Sequence, residues 1–304
     1  MSDDQRTAAA PPDRSTIDVS VARRLIDSQF PQWSDLPIAE VEVDGWDNRT
    51  FRLGSELTVR LPSGDWYARQ VDKEQQWLPV LAPQLPLPIP IPVARGEPDS
   101  GFPYPWSVYR WLDGEPASRR RIRDLPGFAR TLARFLNALG RVDASGGPGP
   151  GQHNFYRGGP LATYEDETLQ AIEALGNLIP GKSVKRAWDD AMTTSWDREP
   201  VWFHGDVAAG NLLLRDGRLA AVIDFGSSGI GDPACDMVIA WTLLAGASRA
   251  TFRAELDVDA ATWSRGRGWA LWKALITLAW HLEPDTPDAA RVRHEIDEIV
   301  ANAC

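Results

Sequence analysis

The stretch Val201–Asp236, VWFHGDVAAGNLLLRDGRLAAVIDFGSSGIGDPACD, decides how the rest of the 304-residue chain is read. Leu212, Leu213 and Leu214 form an apolar run, Arg215-Asp216-Gly217-Arg218 carries an Asp-Gly turn signal, and Leu219 to Ile223 form a second apolar run. Two short apolar runs around Asp-Gly predict a β-hairpin, because such a turn takes up the positive φ angles that match the twist of paired strands. Asn211 stands at the entrance of the first strand and Asp224 at the exit of the second, so antiparallel pairing puts both at one end. Asp206 lies just upstream, and the same end therefore collects Asp206, Asn211 and Asp224. An amide and carboxylates are the oxygen donors that a hard cation such as Mg²⁺ takes, with one carboxylate to spare.

The ordered set His204-Gly205-Asp206, Asn211 and Ile223-Asp224-Phe225-Gly226 resembles the catalytic loop and metal motif of the protein-kinase-like fold. Glycine at 205, and Gly231-Asp232-Pro233-Ala234-Cys235-Asp236 downstream, are similar to the form used by the aminoglycoside phosphotransferase family. The resemblance implies an α+β, two-lobe fold: a small antiparallel β-sheet N-lobe and a larger, mainly helical C-lobe. It implies a nucleoside triphosphate, ATP or GTP, as co-substrate, Mg²⁺ as cofactor, and transfer of the γ-phosphoryl group to a hydroxyl of a small molecule. In that scheme Asp206 is the catalytic carboxylate that orients the acceptor hydroxyl, and Asn211 and Asp224 hold the metal. His204 fixes the loop, Gly205 leaves room where a larger residue would crowd it, and Asp236 braces the loop backbone.

Composition bounds the partners. Lys+Arg 32 against Asp+Glu 42 gives a net charge of −10 and a pI near 5.0, which disfavours nucleic acid or an anionic membrane and leans toward a cationic ligand. With 43% hydrophobic residues the chain can bury a sizeable core. Cys235 and Cys304 form no metal-ligand spacing, and no unbroken apolar run reaches membrane-spanning length; a reduced, cytoplasmic protein is the expectation. Residues 1–16 are small, polar and proline-containing, and read as a disordered tail.

Asp18 to Phe30 reads as a short helix, with Val21, Leu25 and Ile26 on one face. From Ala39 the period becomes two: Val41 and Val43, a turn at Gly45-Trp46-Asp47-Asn48, then strands through Phe51 and Leu53 and through Leu57, Val59 and Leu61. By the resemblance this meander covers the nucleotide phosphates. Arg60 takes the position of the usual kinase lysine, and Glu74, in a helix expected over Asp72 to Leu81, orients it. Pro83 to Val93 reads as a buried, extended connector. Trp106 to Leu112 is an apolar strand whose end, Arg110, Trp111 and Leu112, the resemblance makes the hinge that meets the nucleobase through backbone groups. The lobes are expected at 17–110 and 111–304.

Leu125 to Gly140 shows helical spacing, Ser145 to Gly159 is a long loop carrying Phe155 and Tyr156, and helices are expected at Thr163 to Leu175 and Val184 to Trp196. Pro233 onward, Ala260 to Leu282 and Ala289 to Ala303 complete the helical half. The acceptor is expected to be an aminoglycoside or another hydroxylated antibiotic. A metabolite such as choline or homoserine is the alternative, and so is a binding protein that has lost turnover, which Arg60 and the single glycine of the Gly45–Asn48 turn would suit.

Overall fold

The computed structural model describes residues 14–301 except Val43, Trp46 and Ser100. The expected strand residue Val43, the turn residue Trp46, Cys304 and residues 1–13 of the expected tail lie outside the described residues. Arg14–Thr16 form a 3₁₀ turn, and Arg14 reaches the carboxylate of Asp44 at 2.7 Å. The chain divides into two compact units: one contains the described residues up to Pro83 together with Ile89–Leu112, the other Gln84–Pro88 and everything from Asp113 on.

The first unit begins with α1 (Val19–Gln29), whose N-cap Asp18 accepts from the backbone N–H groups of Ser20 and Val21. Strands β1 (Ile38–Glu40), β2 (Asn48–Leu53) and β3 (Leu57–Pro62) form the meander, and α2 (Asp65–Leu81) follows. Then come β4 (Pro92–Gly96) and β5 (Trp106–Arg110), and the five strands make one antiparallel sheet in the order β1-β2-β3-β5-β4. Alternation along β2 and β3 turns Phe51, Leu53, Val59 and Leu61 inward, where they meet Leu25 and Ile26 of α1 and Trp106 and Val108 of β5. Each such side chain contributes about 1.5–3 kcal/mol when fully buried.

Two local expectations are corrected here. α2 starts at Asp65 rather than Asp72, because Gly64 caps it in extended conformation and Asp65 complements the first turn. The connector from Pro83 to Val93 is mainly at the surface: only Ile89 and Pro90 in it are buried. Its end joins the sheet as β4, an edge strand with a register shift between Pro92 and Ala94, where a proline's missing N–H costs no ladder bond.

In the second unit β6 (Glu115–Pro116) precedes α3 (Leu125–Gly140), α4 (Glu165–Leu175) and α5 (Gly181–Met192). After β7 (Val201–Phe203) the predicted hairpin appears as β8 (Leu212–Arg215) and β9 (Arg218–Val222), with Asp216 at φ 53 and Gly217 at φ 70 supplying the turn. β6 joins β8, and β7 pairs with β10 (Gly229–Gly231). The segment after Asp232 is a 3₁₀ turn, Pro233–Val238, followed by a single α-turn, α6 (Ile239–Thr242), where one longer helix was expected. α7 (Gly246–Glu255), α8 (Ala260–Trp280) and α9 (Pro287–Ala301) close the chain.

α8 runs through the middle of this unit, against the Pro233–Val238 turn, α5, α9 and α4. It is tied at its start by Arg265, whose guanidinium meets the Asp232 carboxylate at 2.6 Å with both side chains nearly inaccessible. Its N-cap is Asp259, which accepts from Thr262 N–H at 2.7 Å. That bond holds the Asp259 carboxyl below its usual value of 3.8, so the cap stabilises the fold above that pH and is lost as pH falls through the lowered pKa. Asp259→Ala is expected to cost about 1 kcal/mol at neutral pH. Thermal melts should show the penalty shrink in acid, and a pH-independent penalty would contradict the capping role.

Candidate active site

In the first unit the β3 register pairs Arg60 with Thr50 on one side and Ser107 on the other, and the Arg60 side chain lies over the same sheet face as α2. Residues Val71, Glu74, Leu78 and Leu81 follow the i, i+3, i+4 rule on the buried face of α2, which is why a glutamate is only 6% exposed there. Glu74 Oε1 lies 3.5 Å from Arg60 Nη1, and Tyr109 Oη donates to Glu74 Oε2. The pair read from the sequence is brought together, and nothing in the sequence pointed to Tyr109 as its third member. Burial, and secondarily the Glu74 charge, push the Tyr109 phenol well above its usual value, so it stays a donor to that carboxylate.

At the expected hinge, Arg110 N–H donates to Ile91 O at 2.9 Å and Trp111 N–H to Glu56 O at 2.7 Å. The N–H groups of Arg110 and Trp111 are thus committed inside the unit, which leaves the expected contact with the nucleobase to carbonyl groups of this stretch and to Leu112. The Trp111 indole is covered by the Arg52 guanidinium, 4.0 Å from the ring centre.

In the second unit the hairpin carries the polar set as its spacing implied. Ile223 N–H donates to Asn211 O at 2.9 Å, closing the open end of the hairpin and bringing Asp224, one residue on, next to Asn211. Asn211 Nδ2 donates to both the carbonyl and the Oδ2 of Asp206, each at 3.0 Å. With its nitrogen fixed there, the amide turns its oxygen the opposite way. Asp224 has φ 66 and ψ 69, a left-handed conformation that aspartate tolerates better than most residues. An amide oxygen and a carboxylate on adjacent backbone suit Mg²⁺, which takes one or two protein oxygens and completes its shell from phosphates and water.

The loop that presents Asp206 is braced from beneath. Asp236, 2% exposed, accepts from His204 N–H at 2.8 Å and Gly205 N–H at 2.7 Å. The His204 ring is fully buried; its Nδ1 accepts from Asp206 N–H at 3.2 Å, so Nε2 carries the proton and donates to Ile223 O at 3.0 Å. Both nitrogens are spent on backbone, which fits a loop-fixing histidine. Gly205 has φ +86, and a Cβ there would stand 2.3 Å from the Ser227 carbonyl oxygen. Gly205→Ala therefore combines a disfavoured backbone with a backbone clash, and a loss of several kcal/mol is expected in denaturant melts, together with loss of activity.

Two side chains that sequence reasoning passed over complete the surroundings of Asp206. Lys273 of α8 donates to Asp206 Oδ1 at 2.9 Å. Burial pushes the Asp206 carboxyl up, but the Lys273 ammonium more than offsets this and holds it below its usual value, ionised at neutral pH. Arg157 comes from the long glycine-rich loop; its Nε donates to Gly205 O at 3.2 Å and its guanidinium lies 4.7 Å from the Trp272 ring centre and 5.1 Å from that of Trp269. The loop was singled out for Phe155 and Tyr156, yet it is Arg157 that enters the site. Ile230 N–H to Pro148 O and Asp232 N–H to Gly158 O, each 2.9 Å, hold this loop against β10 and its exit. A cavity of about 10 Å³, room for about one water molecule, lies beside Asp206 among Arg157, Val238, Trp269, Trp272 and Lys273. Of the acidic turn Glu165–Glu167, Glu167 accepts the Trp272 indole N–H at 2.7 Å.

Residues 39–269 match the model of the phosphotransferase enzyme family. Among solved structures, the GDP complex of aminoglycoside 2'-phosphotransferase-IIIa is similar at a TM-score of 0.70 and 21% identity, covering 94% of this chain and 99% of that one. A ternary complex of an aminoglycoside phosphotransferase with AMP-PNP and hygromycin B is similar at a TM-score of 0.64 and 21% identity, over 93% and 98% of the two chains. Macrolide 2'-phosphotransferase from Brachybacterium faecium is similar at 0.58 and 18% identity, over 94% and 98%. No curated protein matches the chain. At these identities the structural likeness establishes the protein-kinase-like α+β fold.

Proposed function

Since the chain belongs to the phosphotransferase enzyme family, we propose that it moves the γ-phosphoryl group of ATP or GTP to a hydroxyl of a small molecule, with hydroxylated antibiotics as the first acceptors to test. The observation that carries this reading is the Asp206–Asn211 pair, held by two 3.0 Å bonds at the end of the hairpin where Asp224 follows. Phosphoryl transfer asks a protein chiefly to position the acceptor and to neutralise phosphate charge. Asp206, kept ionised by Lys273, accepts a hydrogen bond from the acceptor hydroxyl and takes its proton as the oxygen bonds to phosphorus. The bond from phosphorus to the bridging oxygen breaks, and the nucleoside diphosphate leaves with the electron pair. Asn211 and Asp224 would hold Mg²⁺, whose charge offsets that of the phosphates. Arg60, set by Glu74 and through it by Tyr109, would bind phosphate oxygens.

Arg60→Met is expected to raise the nucleotide KM by about 10- to 100-fold, the value of a charge-assisted hydrogen bond. Tyr109→Phe should do the same to a smaller degree, because Glu74 then loses its second partner. A nucleotide KM unchanged in Arg60→Met would remove Arg60 from the site. The reading as a whole is tested by Mg²⁺-dependent formation of a phosphorylated acceptor, followed by mass spectrometry over a panel of aminoglycosides, macrolides and nucleoside antibiotics. Tight nucleotide binding with no turnover on any acceptor would instead favour a binding protein that keeps the fold.

A further inference from the structure

Resting on the reading that Asp206 receives the acceptor hydroxyl, we infer that the acceptor carries a carboxylate close to that hydroxyl, bound by Arg157 and Lys273.

The first observation is the state of Arg157. Its Nε is used by Gly205 O and its guanidinium face by Trp269 and Trp272, but Nη1 is sealed from solvent with no hydrogen-bond acceptor among the described residues. No carboxylate forms an ion pair with Arg157 among the described residues. A buried guanidinium donor without an acceptor is unfavourable, and a ligand oxygen that supplied one would be bound with charge assistance. The second observation is Lys273: its ammonium has three donors, one of which goes to Asp206 Oδ1, and its side chain is 37% exposed. Both cations line the same cavity as Asp206.

The neighbouring acids are held by other partners. Asp236 is buried, with its oxygens bonded to the N–H groups of His204 and Gly205, and Glu167 faces the Trp272 indole nitrogen. Asp206 pairs with Lys273, whereas Arg157 has no ion-pair partner among the described residues. The overall charge of −10 points the other way, but exposed charges beyond about 8–10 Å are screened at physiological salt, whereas a group seated beside Asp206 meets Arg157 and Lys273 directly. An amino sugar placed there would set ammonium against two cations, an arrangement that selects against such ligands. The indoles of Trp269 and Trp272 add an apolar wall behind the polar contact.

The experiment screens a library of hydroxylated compounds, grouped as carboxylates, their methyl esters, neutral macrolides and polycationic aminoglycosides, with Mg²⁺ and ATP or GTP. The expected result is a carboxylate as best acceptor, with kcat/KM falling at least tenfold in its methyl ester. In Arg157→Gln the KM for that acceptor rises about 10- to 100-fold with a smaller change in kcat, and Arg157→Lys recovers part of the loss. A polycation or neutral compound as best acceptor overturns the inference and leaves the phosphotransferase reading standing. So does a uniform fall in kcat on every acceptor in Arg157→Gln, which would assign Arg157 to the transferred phosphoryl group. Absence of turnover across the library removes the phosphotransferase reading, and this inference with it.

Discussion

Asp206→Asn is expected to lower kcat by about 10²- to 10⁴-fold, the range supplied by a positioned general base, with a much smaller effect on nucleotide binding. The amide keeps the size of the side chain but cannot take the hydroxyl proton, and it loses the charge that pairs with Lys273. The change should sit in kcat, because the proton leaves the hydroxyl only as the phosphorus–oxygen bond forms. Single-turnover assays with saturating nucleotide measure it directly. Turnover persisting near the parent rate in Asp206→Asn, with the melting temperature unchanged, would sink the mechanism.

The second large effect is expected at Asp236, which lies buried beneath the loop that presents Asp206. Its carboxylate accepts from two consecutive backbone N–H groups, and burial pushes its pKa up. Asp236→Ala leaves both N–H groups buried without an acceptor, at about 1–3 kcal/mol each. Roughly 2–6 kcal/mol of stability should be lost in denaturant titrations. In whatever fraction remains folded, kcat should fall as well, since the residue after Gly205 is Asp206. A variant as stable as the parent would show that the brace is dispensable.

What was legible in the sequence was local. Asp216-Gly217 set the hairpin register, and that register put Asn211 and Asp224 at one end, so the polar trio Asp206, Asn211 and Asp224 could be read without any knowledge of distant contacts. Arg60 and Glu74 were reached through the alternation of β3 and the resemblance, and their 3.5 Å approach agrees with that. Lys273 and Arg157 were not reached, because they meet the loop of Gly205 and Asp206 across 67 and 48 residues of chain. A signal was present for Lys273: it is the lone charge in Trp269–Trp280, WALWKALITLAW, and a single cation in so apolar a helical run asks for a buried partner. The early start of α2 was also on the page, in Gly64-Asp65, but the alternating strand before it masked the change of period. The edge strand β4 was hidden by the prolines that an edge tolerates.

α8 carries Arg265, Trp269, Trp272 and Lys273, so one rigid rod is riveted at Asp232 and reaches Asp206 two turns later. Each residue of a helix turns the chain by about 100° and advances it about 1.5 Å. Inserting or deleting one residue between Arg265 and Lys273 would swing the lysine off the Asp206 carboxylate while leaving the rivet in place. Changes along this rod that keep its length keep Lys273 on Asp206, and changes of length do not.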